Sequence, residues 1–184
     1  TWRSHSVMAH ELGHTLGCNH SGVAPDDEYG DFTCVMSTSW YSRGHDLPLR
    51  EFSPVWKAKA GWYDQDRVLD ITGAGTYTYH LAPAERPSGL VVDPEPDTAY
   101  QLIRVPYWLG DGTPQMVYLA YRQSEGIGGQ LDEIEDVMDR THLLSGTVHT
   151  YRQAVLSDGE TASCGPVSVS VSGDGISGHV EYVT

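Results

Sequence analysis

Three histidines and one glutamate stand at spacings that suit metal-dependent hydrolysis. The segment from His10 to His20 reads His-Glu-Leu-Gly-His-Thr-Leu-Gly-Cys-Asn-His. On a helix, His10 and His14 lie one turn apart on one face, so that both rings can bind one metal ion. Glu11 can then reach a water on that metal without occupying a ligand position. Gly17 can adopt the left-handed conformation that ends a helix, which lets His20 approach as a third nitrogen ligand.

The donor set points to zinc in a catalytic site. Three protein ligands leave a fourth position for water, as in catalytic rather than structural zinc centres. We therefore predict that His10, His14 and His20 bind Zn²⁺. Glu11 is predicted to be the general base that takes a proton from the zinc-activated water. The alternative is a helix whose histidines merely face solvent, but nothing structural requires these residue types at these offsets.

Flanking patterns predict the elements that position this motif. Near the amino terminus, apolar residues recur at the three-to-four spacing of a helix, namely Val7, Met8, Leu12 and Leu16. Gly17 would end that helix. A second, short helix is predicted to begin after Ser53, a natural N-cap, with Pro54 in its first turn and Gly61 after its end. The rest of residues 21–66 is typical of turns.

From Arg67 onward the sequence is typical of strands. Seven short β-favouring runs are separated mostly by Gly, Pro, Asp or Ser: Val68–Ile71, Thr76–Leu81, Tyr100–Val105, Met116–Arg122, Val148–Tyr151, Val167–Val171 and His179–Val183. This number of runs predicts a β-sandwich or jelly roll. Leu131–Met138 is the exception, because its apolar residues fit one or two turns of an acidic amphipathic helix.

The histidine motif resembles the signature of the metzincin zinc peptidases. It matches the pattern His-Glu-x-x-His-x-x-Gly-x-x-His at every fixed position. Metzincins also have a methionine in a tight turn beneath the metal, and Met36 is placed for that role. The finer resemblance is to gametolysin-like peptidases, and more distantly to the immune-inhibitor-A group. It is carried by Tyr29-Gly30-Asp31, by Phe52 through Gly61-Trp62 and by Tyr121-Arg122.

The resemblance assigns roles to residues around the motif. By it, the three histidines are zinc ligands, Glu11 is the general base and Met36 is the methionine-turn residue. In metzincins the segment after that turn helps to line the substrate pocket, and here it contains Trp40 and Tyr41. A surface loop with a core-anchoring tryptophan is an equal alternative. Thr38 stands where some metzincins have a tyrosine as an extra ligand.

The resemblance and the strand pattern together predict an α+β fold. Residues 1–66 would be the carboxyl-terminal part of a metzincin catalytic domain, with the active-site helix, the methionine turn and the short helix. Residues 67–184 would form a β-sandwich or jelly-roll-like domain. Metzincins build a substrate-binding sheet before the active-site helix, whereas only nine residues precede His10. A missing amino-terminal chain is therefore an expected partner.

Charge and composition limit the partners. The 184 residues include 11 Lys and Arg against 25 Asp and Glu, a formal net charge of −14. This balance argues against nucleic acid or an anionic membrane as the main partner, since both bind clustered Lys and Arg. No apolar run approaches the ~20 residues that span a bilayer. The gametolysin-like resemblance implies a secreted protein and a protein or peptide substrate, such as an extracellular matrix or cell-wall protein.

The three cysteines leave several arrangements open. A Cys18–Cys34 disulfide is one expectation, because the family fold would bring both residues near the zinc of a secreted protein. Another pairing, or free buried thiols, are the alternatives for an odd set that also includes Cys164.

Two further groups of polar residues are ambiguous. One loop is crowded with carboxylates: Asp26, Asp27, Glu28 and Asp31. Oxygen ligands of this kind suit Ca²⁺, but without a recognisable calcium-loop spacing solvated charge is the favoured explanation. Among the scattered histidines, His142 and His149 are the one pair that could lie near the predicted active-site cleft.

Taken as a whole, the sequence predicts a secreted zinc endopeptidase, or the carboxyl-terminal portion of one. The alternative is an inactive, metal-retaining peptidase remnant that binds matrix, glycan or a partner chain. The presence of Glu11 favours activity, whereas the short stretch before His10 favours the binding module.

Overall fold

The fold is described from a computed structural model. The described residues are 5–37, 50–85, 99–123, 139–172 and 176–183. Two α-helices lie among them, α1 at His5–Thr15 and α2 at Pro54–Lys59. Trp40 and Tyr41, and the helix expected at Leu131–Met138, lie outside the described residues.

Strands form most of the described chain. They are β1 Ser21–Gly22, β2 Val68–Asp70, β3 Gly75–Leu81, β4 Ala99–Tyr100, β5 Leu102–Trp108, β6 Pro114–Arg122, β7 Arg140–Ser145, β8 Thr150–Leu156, β9 Thr161–Cys164, β10 Val167–Ser172 and β11 Ser177–Tyr182. One sheet has the order β1-β8-β7-β6-β5-β2, and the other has the order β4-β3-β11-β10-β9. Each sheet is mixed, because β1 pairs with β8, β2 with β5 and β3 with β4 in parallel.

The predicted α+β class is wrong, because strands account for 48% and helices for only 13% of the residues that the structure describes. The part expected to be a catalytic domain contributes helices of 11 and 6 residues, too little to make a helical layer. The parallel pairs also depart from the antiparallel strands of a jelly roll. The chain is a mostly β protein with two mixed sheets.

Both predicted helices are present, and their terminal residues explain their ends. α1 stops before Gly17, which has a φ of 82°, a conformation that glycine adopts without strain. α2 has Pro54 in its first turn, and Gly61 follows its end with a φ of 73°. The glycine stop signals and the position of Pro54 are therefore confirmed. Ser53 stands at the N-cap of α2, but its side chain makes no capping hydrogen bond.

Most of the predicted strands are observed. The run expected at Val148–Tyr151 is shifted, since β8 begins at Thr150. The sequence analysis does not predict three strands. β1 lies in a segment expected to form turns, and β7 and β9, with the sequences RTHLLS and TASC, mix polar or small residues and give weak strand signals. The division into residues 1–66 and 67–184 stays a prediction.

The two sheets share one hydrophobic core. β10 alternates valine and serine, and its valines are buried while its serines are more exposed. The valines pack in the same cluster as Ile103, Val117 and Leu143 of the six-stranded sheet. Within the part of the chain that is described, no helix has the length and apolarity needed to cross a membrane.

The opposite face of the six-stranded sheet is covered by α2. Leu102 and Tyr118 alternate with core residues along β5 and β6, and they pack with Val55 of α2. Trp56 on the same helix packs in a third cluster with Met36. α2 thus connects the sheet to the segment that follows α1.

A buried ion pair fixes that segment to the sheet. Arg122, at the end of β6, is 1% exposed, and its Nε donates to Oε1 of Glu85. Its two terminal nitrogens lie 3.3 Å from the hydroxyl and the carbonyl oxygen of Thr33. A buried guanidinium is stable only when its donors have acceptors, so this contact dictates where Thr33 lies.

We expect Glu85→Gln to destabilise the protein by about 3–5 kcal/mol, because it removes the carboxylate that pairs directly with the buried charge of Arg122 and leaves only the more distant charge of Asp31. Urea unfolding followed by tryptophan fluorescence measures this change. Asp70→Asn is the matched control, since Asp70 pairs with Arg104 at the surface, where side chains are 50% and 37% exposed. The control should lose less than about 1 kcal/mol. Equal losses in the two variants would contradict a special role for the buried pair.

Candidate metal centre

α1 places two of the predicted ligands together. His10 and His14 are one turn apart, and their Nε2 atoms lie 3.2 Å from each other. Both rings are held from behind by backbone oxygens: Nδ1 of His10 is 3.0 Å from the carbonyl oxygen of Val35. Nδ1 of His14 is 3.0 Å from the carbonyl oxygen of Cys18. The helix and the loop below it therefore share the task of orienting the rings.

These contacts fix the proton on each ring. A carbonyl oxygen can only accept, so Nδ1 of His10 and of His14 must carry the hydrogen. In the neutral ring, Nε2 is then an acceptor. Two acceptors thus face each other at 3.2 Å, an arrangement that a cation between or beside them would stabilise.

A proton is a poor candidate for that cation. Burial lowers the pKa of His10, and the neighbouring His14 and His20 lower it further. Neutral imidazole is the form that binds metal. Around a tetrahedral zinc ion with Zn–N bonds of ~2.0–2.1 Å, two nitrogens lie about 3.4 Å apart. The observed 3.2 Å between the two Nε2 atoms fits this geometry.

His20 joins the pair after the turn at Gly17. One nitrogen from each of His10, His14 and His20 lies within 4.8 Å of the others. Nε2 of His20 is 2.9 Å from the hydroxyl of Tyr29, and the two rings pack with centroids 4.0 Å apart. The structure thus brings the three predicted ligands into one group.

Glu11 is exposed on α1, and its charge acts on the side chains of His10 and Tyr29. Burial raises the pKa of Tyr29, and the charges of Glu28 and Glu11 raise it further. Burial lowers the pKa of His10, and the charge of Glu11 opposes that change. The charge of the exposed Glu11 carboxylate therefore influences the pKa of both His10 and Tyr29.

Met36 lies under the helix that carries the first two histidines. A Cβ added at Gly13 would be 2.3 Å from the sulfur of Met36 and 2.7 Å from the ring of Phe52. Met36 is fully buried, and its carbonyl oxygen accepts a hydrogen bond from the backbone N–H of Ser21. The missing side chain at Gly13 is what lets the helix rest on the methionine.

We expect Gly13→Ala to destabilise the protein by about 1–3 kcal/mol, because the new methyl group would overlap the buried sulfur of Met36. The displaced helix should also bind zinc more weakly. Thermal unfolding and zinc titration measure the two effects. Gly17→Ala is unsuitable as a control because of its positive φ, so Thr15→Ala, an exposed change at the end of α1, serves instead. A Gly13→Ala protein as stable as Thr15→Ala would contradict the close packing.

The cysteines are free thiols in the structure. Cys18 and Cys34 are buried in the same cluster, and the predicted bridge between them is not formed there. Burial raises the pKa of Cys18 to about 11, with a further contribution from Cys34. The sulfur of Cys34 accepts hydrogen bonds from the backbone N–H groups of Met36 and Ser53. This thiol therefore holds the methionine turn and the start of α2 together.

We expect three reactive thiols per chain in denatured, unreduced protein and fewer in native protein, where Cys18 and Cys34 are buried. Titration with a disulfide reagent that releases a coloured thiolate measures both counts. Cys164→Ser should lower the denatured count by one. A single thiol in the denatured wild type, and none in denatured Cys164→Ser, would instead establish the Cys18–Cys34 bridge.

The remaining predicted residues lie in different surroundings. Asp31 is fully buried and accepts hydrogen bonds from the backbone and hydroxyl of Thr33, so it is not solvated loop charge. His142 is fully buried in β7. His149, in contrast, lies beside His20 with ring centroids 5.8 Å apart. The Ca²⁺ prediction stays a prediction.

Sequence reasoning missed the contacts of His20 with Tyr29 and Glu28. Tyr29 entered it only as part of the Tyr-Gly-Asp resemblance, and Glu28 only as a member of the acidic loop. Oε2 of Glu28 lies 3.2 Å from Nδ1 of His20. One feature of the sequence could have indicated these contacts. Glu28 and Tyr29 follow His20 closely in the chain, in a loop that must fold back toward His20.

Comparison with protein-family models, with curated proteins and with solved structures finds no match to this chain. The resemblance to metzincins therefore depends on the motif residues themselves.

Proposed function

We propose that this chain carries the zinc centre of a secreted endopeptidase of the metzincin kind. The observation that carries the proposal is the pair of Nε2 acceptors of His10 and His14, which face each other at 3.2 Å. Backbone oxygens hold both Nδ1 atoms, so the rings present lone pairs to one point. His20 adds the third nitrogen of the group.

The ligand set suits the chemistry of peptide hydrolysis. When bound by three histidines, zinc lowers the pKa of a coordinated water and polarises a carbonyl group. The three rings come from one helix and the turn after it, so their positions relative to one another are set by local structure. Val35 and Cys18 supply the oxygens that orient two of these rings.

Glu11 supplies the general base of the proposed reaction. Its carboxylate lies on the same helix as two ligands and is exposed, so a water molecule and a peptide can reach it. It would take a proton from the attacking water and pass it to the leaving amine. Tyr29 keeps its hydroxyl proton because burial and the charges of Glu28 and Glu11 raise its pKa. A hydrogen-bond donor therefore lies on the ligand side of His20.

The binding-module alternative is favoured by one feature of α1. Met8 and Leu12 lie four positions apart on α1, and Leu16 follows four positions later, just after its end; the three residues are 64%, 56% and 48% exposed. Apolar residues in a row on an open helix suit contact with another chain. A zinc-retaining but inactive module would use this surface for docking instead of substrate cleavage.

We expect Glu11→Gln to bind as much zinc as wild type and to slow cleavage of unfolded casein about 10²–10⁴-fold, because only the proton acceptor is removed. His10→Ala should lose the zinc of this three-histidine centre and, with it, the cleavage. Elemental analysis and the release of peptides measure the two properties.

Glu181→Gln is the control, since Glu181 is an exposed carboxylate on β11, in the other sheet. Zinc binding without cleavage in wild type would overturn the peptidase proposal and favour the binding module. A wild-type chain that binds no zinc would overturn both.

A further inference from the structure

A second group of ligating atoms lies on the other edge of the His20 ring. β1 and β8 pair in parallel, with Ser21 opposite Thr150. The residue before each of these is a histidine, so the register places His20 and His149 side by side. The backbone N–H of Thr150 donates to the carbonyl oxygen of His20 at 3.2 Å. Two histidines 129 positions apart in the chain thus become neighbours through a two-residue strand.

Glu28 reaches the same place because the acidic loop folds back closely on β1. A Cβ at Gly22 would lie 2.2 Å from the carbonyl oxygen of Asp27 and 2.7 Å from the Cα of Glu28. Only glycine permits this approach of two backbones. Oε2 of Glu28 is then 3.2 Å from Nδ1 of His20 and 3.8 Å from Nδ1 of His149.

The two histidine nitrogens of this group lack hydrogen-bond partners. Nδ1 of His20 and Nδ1 of His149 are both buried, and neither has a hydrogen-bond partner among the described residues. The distance from Glu28 to His20 is that of an ion pair, but the geometry of a hydrogen bond is absent. Buried nitrogens without partners are unfavourable, and their convergence with a carboxylate indicates a cation site.

We propose that Nδ1 of His20, Nδ1 of His149 and a carboxylate oxygen of Glu28 form a second site for a divalent transition-metal cation. Two imidazole nitrogens and one carboxylate oxygen are a donor set that zinc accepts. Ligand atoms of tetrahedral zinc lie about 3.4 Å apart. The observed separations of 3.2 and 3.8 Å from the carboxylate oxygen bracket that value.

His20 is shared between the two centres without competition for an atom. Its Nε2, 2.9 Å from the hydroxyl of Tyr29, is assigned to the first centre, whereas its Nδ1 lies 3.2 Å from Oε2 of Glu28. Ligation through both nitrogens would require the ring to release its one proton to solvent, and the carboxylate of Glu28 would offset part of the charge of the second cation.

The second centre would connect three segments that few backbone hydrogen bonds hold together. β1 has two residues, and the acidic loop and the turn before β8 meet at its end. A cation held by His20, Glu28 and His149 connects all three. Because the cation binds the folded chain and not the unfolded chain, it should raise the midpoint of thermal unfolding.

Zinc titration of the full chain after removal of metal by a chelator tests the proposal. Wild type should bind two equivalents, counted by elemental analysis after gel filtration and by calorimetry. Glu28→Gln and His149→Ala should each bind one, and His20→Ala should lose both. His10→Ala should keep one, because the second centre does not use that ring.

Matched controls come from the other sheet. Glu181→Gln and His179→Ala repeat the two substitutions at exposed positions of β11, and both should bind two equivalents. The second equivalent should raise the thermal midpoint of wild type and of the controls but not that of Glu28→Gln, an isosteric change that preserves packing. Circular dichroism verifies that each variant is folded.

The outcomes separate this proposal from the proposed function. One equivalent in wild type, lost in His10→Ala and kept in both Glu28→Gln and His149→Ala, overturns the second centre and leaves the peptidase zinc in place. One equivalent that His10→Ala keeps and Glu28→Gln loses supports the second centre and overturns the first. Two equivalents in wild type and in His149→Ala alike would also overturn the second centre.

Discussion

The buried guanidinium of Arg122 is the interaction on which the arrangement of the metal centre depends. A guanidinium that is removed from water needs hydrogen-bond acceptors, and that of Arg122 donates to oxygens of Glu85 and Thr33. Thr33 precedes the turn that contains Val35 and Met36. The central strand β6 thereby sets the position of a turn that is distant in sequence. Cys34, Val35 and Met36 of this turn are buried in a small apolar cluster, so the polar contact acts together with packing.

The orientation of His10, one of the predicted zinc ligands, follows from that anchor. The carbonyl oxygen of Val35 accepts from Nδ1 of His10, which leaves Nε2 free to accept and therefore able to bind a metal. Met36, one residue further on, supports α1 at the position where Gly13 has no side chain. The helix alone places His10 and His14 on one face, but it does not determine which nitrogen carries the proton. That choice depends on backbone oxygens held in place by the rest of the fold.

The parts of the structure that could be predicted from the sequence are those that local rules determine. The four-residue spacing of histidines on α1 and the positive φ of Gly17 follow from helix geometry alone. The fold class could not be obtained in this way, because the pairing of β1 with β8 joins strands that are far apart in sequence. The burial of Asp31 depends on the same long-range contacts, since Arg152 of β8 lies 3.4 Å from it. Composition assigns such an aspartate to solvent, and only tertiary structure supplies its partners.

His20 shows how one residue can serve two kinds of structure. As the last histidine of the motif, it belongs to the helix and its turn, and sequence spacing suffices to identify it. As the residue before β1, it also belongs to the parallel strand pair, and there its neighbour is His149. A ring with nitrogens on two edges can contact both surroundings at once. The register of the short strand β1 therefore matters for the site, because it determines which side chain lies beside the Nδ1 edge of the His20 ring.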